Sequence, residues 1–195
     1  MKVLLVAEGK HERGKEDRDG ALETLVRRLH QGVIQCALER ASRNDIHAHH
    51  GKGQGYFKKA LRWILEAQKR GYAGLVLVID QDNTPERVRE ITDAQNTQRV
   101  SLRRALGVAI RTFDAWMLAD EQALTRVLGY DVPTQPSPEE MSDAKAVCAQ
   151  LLGQSRAAMS QSEFYAFVAR EADINTLERR CDKGFAPFAQ RVRAL

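Results

Sequence analysis

The sequence has no apolar run near the roughly 18 residues that a membrane-crossing helix needs. That predicts no membrane partner. It has only three cysteines, Cys36, Cys148 and Cys181, far apart and without metal-ligand spacing. Reduced thiols are the reading, which excludes a disulfide scaffold. The apolar stretch after Met1 is too short for a signal peptide and runs directly into Glu8, so a cytoplasmic location is expected. Internal repeats and low-complexity tracts are missing. So is a P-loop: glycine-rich 51–55 precedes a helical pattern that no Lys-Ser/Thr opens. The glycines suit either a simple turn or a phosphate held on backbone N–H groups.

What is present is a chain of 195 residues, 43% hydrophobic, enough for one domain or one domain with a small appendage. Lys and Arg exceed Asp and Glu by 30 − 26 = 4, a weak positive excess that permits a nucleic-acid partner.

Leu75-Val76-Leu77-Val78-Ile79 is five apolar residues in a row, three of them β-branched, and reads as a buried parallel strand. It ends in Asp80-Gln81-Asp82. Ligands of open α/β sheets sit beyond the carboxyl ends of strands. Two close carboxylates resist joint ionisation, and a divalent cation removes that conflict. The plainer reading is a solvated turn in which Thr84 caps the next helix and Pro85 occupies its first turn.

Lys2 to Ala7 reads as the first strand and ends at Glu8-Gly9-Lys10-His11-Glu12. Leu22, Leu25, Val26, Leu29, Val33, Ile34, Ala37 and Leu38 keep helical spacing, which predicts one helix from Asp19-Gly20 to about Asn44. A short strand over Ile46 to His50 follows. Its histidines, His47, His49 and His50, alternate between faces, which argues against a joint metal site. A helix is expected over Tyr56 to Arg70 with Gly71 at its C-terminus, another from Pro85 to about Thr97, and a strand over Gly107 to Arg111. Asp114 then becomes a third acid just after a strand. Alternating strands and helices predict βαβ units and a parallel sheet of about four strands flanked by helices. Beyond Asp120 only helices are expected: from Ser137 or Pro138 to about Leu152, Gln161 to Glu171, Ile174 to Arg180, and Phe185 to Leu195. The division is 1–120 as an α/β domain and 121–195 as a helical appendage packed on it.

A Glu after the first strand and an Asp-x-Asp after a later one resemble the TOPRIM domain of primases, topoisomerases and OLD-family nucleases. Glu8-Gly9-Lys10-His11-Glu12 is similar to the Glu-Gly-x-Thr-Glu segment of OLD-type members, with His11 in place of Thr. Asp114-Ala115-Trp116-Met117-Leu118-Ala119-Asp120 resembles the Glu-Ala-Trp-Leu-Leu-Ala-Asp motif of the TOPRIM-like DUF4276 family, with Asp114 one methylene shorter than the family glutamate. Asp143-Ala144-Lys145 is similar to its Asp-Pro-Lys. Cys181-Asp182-Lys183-Gly184-Phe185-Ala186-Pro187-Phe188 is similar to its terminal Pro-Ser-Phe-x-x-Phe.

The resemblance implies a TOPRIM-like sheet and Mg²⁺- or Mn²⁺-dependent cleavage of DNA or RNA, in a defence effector that works with a separate ATPase. Asp80 and Asp82 would ligate metal, and Glu8 would be a ligand or the general base. Glu12 and Asp114 would be secondary ligands, and Lys10 would neutralise phosphate charge. Lys10, Lys52 and Arg111 would hold nucleic acid. A non-catalytic module that binds nucleotide or protein through the acidic pocket is the alternative. A phosphotransfer enzyme fits less well, because no aspartyl-phosphate signature is present. Phe113, Trp116, Leu118, Phe185 and Phe188 are expected in the core.

Overall fold

The computed structural model describes residues 1–9, 19–41, 55–156 and 158–195. Four parallel strands form one sheet in the order β2-β1-β3-β4: β1 Lys2–Ala7, β2 Gln35–Arg40, β3 Gly74–Asp80 and β4 Arg103–Ala109. β1 lies in register with both neighbours, Val3 facing Cys36 and Gly74, so Glu8 leaves the sheet beside the end of β3. The chain order steps from β1 to one side for β2 and to the other for β3. Their common gap is the switch point at which α/β sheets hold ligands.

Both faces of the sheet are covered. Val3, Leu5, Ala7, Val76, Val78 and Ala105 face α1 (Ala21–Leu29) and the later helices; Leu4, Val6, Leu75, Leu77, Ile79 and Leu106 face α2 (Tyr56–Lys69) and α3 (Glu86–Asn96). Period-two alternation of apolar residues on both faces explains why β1 and β3 read as unbroken hydrophobic runs.

Past β4 come α4 (Asp114–Met117), α5 (Glu121–Leu128), a 3₁₀ turn (Pro138–Glu140), α6 (Ala144–Gln154), α7 (Gln161–Glu171), α8 (Ile174–Arg180) and α9 (Phe185–Arg193). These elements share one apolar core with the first face of the sheet. Phe113, Trp116, Phe185 and Phe188 are its centre, all at most 1% exposed, with the Trp116 ring 5.1–5.5 Å from the other three. Phe188 packs over Gly107, where an added Cβ would come within 2.7 Å of the ring. Among the described residues no helix is long and apolar enough to cross a membrane.

Three expectations need correction. The long helix stops at Leu29, and Gln35–Arg40 is a strand. Its spacing imitates a helix because an outer strand is buried only in part, and His30-Gln31-Gly32 breaks the run. Strand β4 lies earlier than expected: Arg103 and Arg104 begin it, their guanidiniums bonded to backbone carbonyls, Arg104 to those of Gln95, Val100 and Leu102 among others. The helix expected from Pro138 to Leu152 is broken at 141–143 into the 3₁₀ turn and α6, which Asp143 caps. The expected strand over Ile46 to His50, with its histidines, lies outside the described residues.

Candidate functional site

β1 and β3 deliver Glu8 and Asp80 to the switch point side by side. Glu8 Oε2 accepts the Asp80 N–H at 3.1 Å. The ladder between β3 and β4 continues past both strands: Gln81 N–H donates to the Ala109 carbonyl and Asp82 N–H to that of Arg111. Asp82 (φ 49°) and Arg111 (φ 62°) both adopt the left-handed conformation, unusual for residues other than glycine. This backbone strain sits where functional sites commonly keep it.

Asp80 is half-buried, and its Oδ1 accepts the Phe113 N–H at 2.8 Å. Among the described residues no cation reaches its carboxylate. Burial pushes its pKa up to about 7, helped by the negative charges of Glu8, Asp114 and Asp82 and opposed by the Phe113 N–H. A carboxyl so disfavoured in its charged form is a group that a divalent cation would relieve.

The other acids have partners. Glu8 Oε1 meets Lys59 Nζ at 2.9 Å and the Tyr56 hydroxyl at 3.4 Å. Burial, then the Glu8 charge, raises the Tyr56 pKa. Asp82 is exposed and accepts Arg87 Nη1 at 2.5 Å; the same nitrogen donates to the Asp80 carbonyl at 2.6 Å. Asp114 stands at the start of α4, and its carboxylate accepts the hydroxyl of buried Tyr165 from α7. Burial drives the Tyr165 pKa upward, so the phenol keeps its proton for that bond.

Glu8 and Asp80 are therefore together, with Asp82 and Asp114 flanking them. Among the described residues no three His, Cys, Asp or Glu side chains gather as a ready metal cage. Mg²⁺ does not need one, since it commonly takes one or two protein carboxylates and keeps several waters. The hard oxygens of Glu8 and Asp80 fit that requirement. Arg111 lies at the rim, its Nη1 3.4 Å from Asn83 Oδ1. Lys10, Glu12 and Lys52, with 51–54 of the glycine-rich stretch, lie outside the described residues.

Sequence reasoning missed Tyr56, Lys59 and Tyr165, because nothing local marks them, and Arg87, although it lies only five residues after Asp82. It also read Thr84 as a cap, whereas Pro85 precedes α3 and no side chain caps it. Asp120 is a structural residue. Its Oδ1 accepts the N–H groups of Gln122 and Ala123 at the start of α5, and its Oδ2 accepts that of Asp173. Buried Glu139 accepts the Lys183 N–H at 3.0 Å just before the start of α9, and its Oε1 has no hydrogen-bond partner among the described residues.

No protein-family model, curated protein or solved structure matches the chain.

Proposed function

We propose that this chain is a metal-dependent phosphodiesterase of the TOPRIM type, acting on DNA or RNA as a defence effector with a separate ATPase. The observation that carries the reading is the half-buried Asp80 carboxyl beside Glu8 at the switch point, raised to about 7 with no cation to neutralise it among the described residues. Glu8 and Asp80 would hold Mg²⁺ or Mn²⁺, with Asp82 and Asp114 near enough in the fold to assist. The metal would supply charge stabilisation for the attacking and leaving oxygens of an in-line displacement. The chain's own part is to hold two carboxylates on rigid strand ends, to keep Asp80 half out of water, and to orient Asp114 through Tyr165. Where Glu8 is not a ligand, it would be the base that takes a proton from an attacking water.

One observation favours a second reading, a binding module without catalysis: Lys59 and Arg87 already occupy Glu8 and Asp82. The two readings separate when wild type, Glu8→Gln and Asp80→Asn are incubated with labelled DNA and RNA in Mg²⁺ or Mn²⁺, with and without a candidate ATPase. Cleavage by wild type that both substitutions abolish supports the nuclease. Binding with no cleavage under any condition supports the module. Cleavage that survives both substitutions removes this site from the chemistry.

A further inference from the structure

Two cations are built into the site, and their placement points to the substrate. Lys59 on α2 and Arg87 on α3 both rest against Tyr56, Lys59 Nζ 4.7 Å and the Arg87 guanidinium carbon 4.2 Å from the ring centre. Each then reaches an acid at a strand end, Lys59 to Glu8 and Arg87 to Asp82. Their side chains are only 19% and 14% exposed, so both charges are held low in the site and largely out of water. Arg87 is also left incomplete. Its Nη1 is shared between Asp82 and the Asp80 carbonyl, while its buried Nε has no hydrogen-bond partner among the described residues. A buried, charged donor without an acceptor is costly. The planar guanidinium fork suits the paired oxygens of a phosphate.

We propose that Arg87 and Lys59 are the phosphate-binding pair of this site. In the metal-free chain they neutralise Asp82 and Glu8. A divalent cation on the strand-end acids takes over that neutralisation and frees both side chains for the phosphodiester backbone of a nucleic acid. Tyr56, held by both cations, is the platform from which they turn and not a surface for stacking bases. The inference rests on the metal-dependent reading above.

A structural role for Arg87, bracing the turn after β3 through the Asp80 carbonyl, makes the opposite prediction for metal. Losing a brace weakens metal binding, whereas losing a competing cation strengthens it. The test uses Mn²⁺ calorimetry, and anisotropy of short fluorescent single-stranded DNA and RNA in Ca²⁺ or in EDTA. The proteins are wild type, Arg87→Ala, Arg87→Lys, Lys59→Ala and Asp80→Asn. Arg87→Ala should bind Mn²⁺ about two- to fivefold more tightly, the size of a partly exposed ion pair. It should bind oligonucleotide in Ca²⁺ about tenfold more weakly, with a salt slope lower by about one, and Arg87→Lys should restore part of the loss. Lys59→Ala should lower oligonucleotide affinity independently, which keeps the test decisive if Arg87→Ala fails to fold. In EDTA these substitutions should make little difference. The nucleic acid that shows the Ca²⁺-dependent loss, DNA or RNA, is the substrate class. Weaker Mn²⁺ binding by a folded Arg87→Ala protein overturns the proposal. So does unchanged oligonucleotide affinity in both Arg87→Ala and Lys59→Ala, and in that case the metal-dependent reading survives. Equal Mn²⁺ binding by wild type and Asp80→Asn overturns both.

Discussion

Asp80 and Asp120 are chemically identical groups in opposite circumstances. Asp120 is only 5% exposed, yet its oxygens accept three backbone N–H groups, from Gln122, Ala123 and Asp173. Its charge joins α5 to the start of α8. Asp80 is less buried, receives one N–H, and is surrounded by Glu8, Asp82 and Asp114. Burial alone therefore does not mark a functional carboxylate. What marks it is burial without enough donors, together with like charges brought close by the sheet. One aspartate is a finished structural joint, and the other is left with a single donor among like charges.

The comparison breaks most visibly in chemistry. Asp80→Asn should lower the rate of metal-dependent cleavage by about 10²-fold or more while leaving the fold intact, checked by initial rates alongside circular dichroism. A destabilised Asp80→Asn protein would mean that Asp80 is structural, as Asp120 is. The converse substitution, Asp120→Ala, should cost about 2–4 kcal/mol, because a helix cap and a buried acceptor disappear together. Urea unfolding measures this, and Mn²⁺ affinity of the folded fraction should stay unchanged. Gly107→Ala pushes a methyl into the Phe188 ring and should cost about 1–3 kcal/mol by the same assay.

A smaller effect follows from pH. A carboxyl whose pKa is raised on folding contributes stability that is complete below its unfolded value and is lost as pH rises through its folded value. For Asp80 that window runs from the ordinary carboxylate range up to about 7. Without metal, Asp80→Asn should therefore gain on wild type between about pH 5 and 8. The gain should be roughly 1–2 kcal/mol, moderated because the group is only half-buried. Over the same range, wild-type Mn²⁺ affinity should climb as the proton is released. A flat difference would separate Asp80 from its charged neighbours. The smallest change belongs to Tyr165→Phe, which removes the hydroxyl that holds Asp114 and should cost about 0.5–1.5 kcal/mol. A much larger loss of cleavage than of stability would bring Asp114 into the chemistry.

How much of this was legible depended on whether the cause was local. β1 and β3 were readable because strands buried on both faces are continuous apolar runs. The bounds of α7 and α8 were readable because Ser160 with Glu163, and Asp173, supply caps in the sequence itself. β2 was not, since its apolar residues suit a helix equally well and only pairing with β1 decides between them. The short α4 and the capped α5 were missed for a related reason: the Trp116 segment looked like a motif, and its tertiary packing makes it a turn of helix. In the site, the acids announced themselves at strand ends. Two of their partners could not, because Lys59 and Tyr165 meet Glu8 and Asp114 only after helices distant in sequence have docked; Arg87 lies five residues after Asp82, and the turn between them is what brings it back. Glu139 is the sharpest instance, a buried carboxylate that holds the chain at Lys183, just before α9, from more than forty residues away.

The seating of Phe188 over Gly107 has a consequence for how the protein is made. A ribosome delivers β4 and the Trp116 segment well before it delivers residues 185–193. Until then the flat glycine surface of β4 and the Trp116 ring lack two of the aromatic side chains that cover them. A nascent chain can pair its strands early, but it cannot close its first core until α9 has emerged. A chain lacking residues 185–193 should therefore keep its sheet pairing but expose Trp116 and the Gly107 surface of β4.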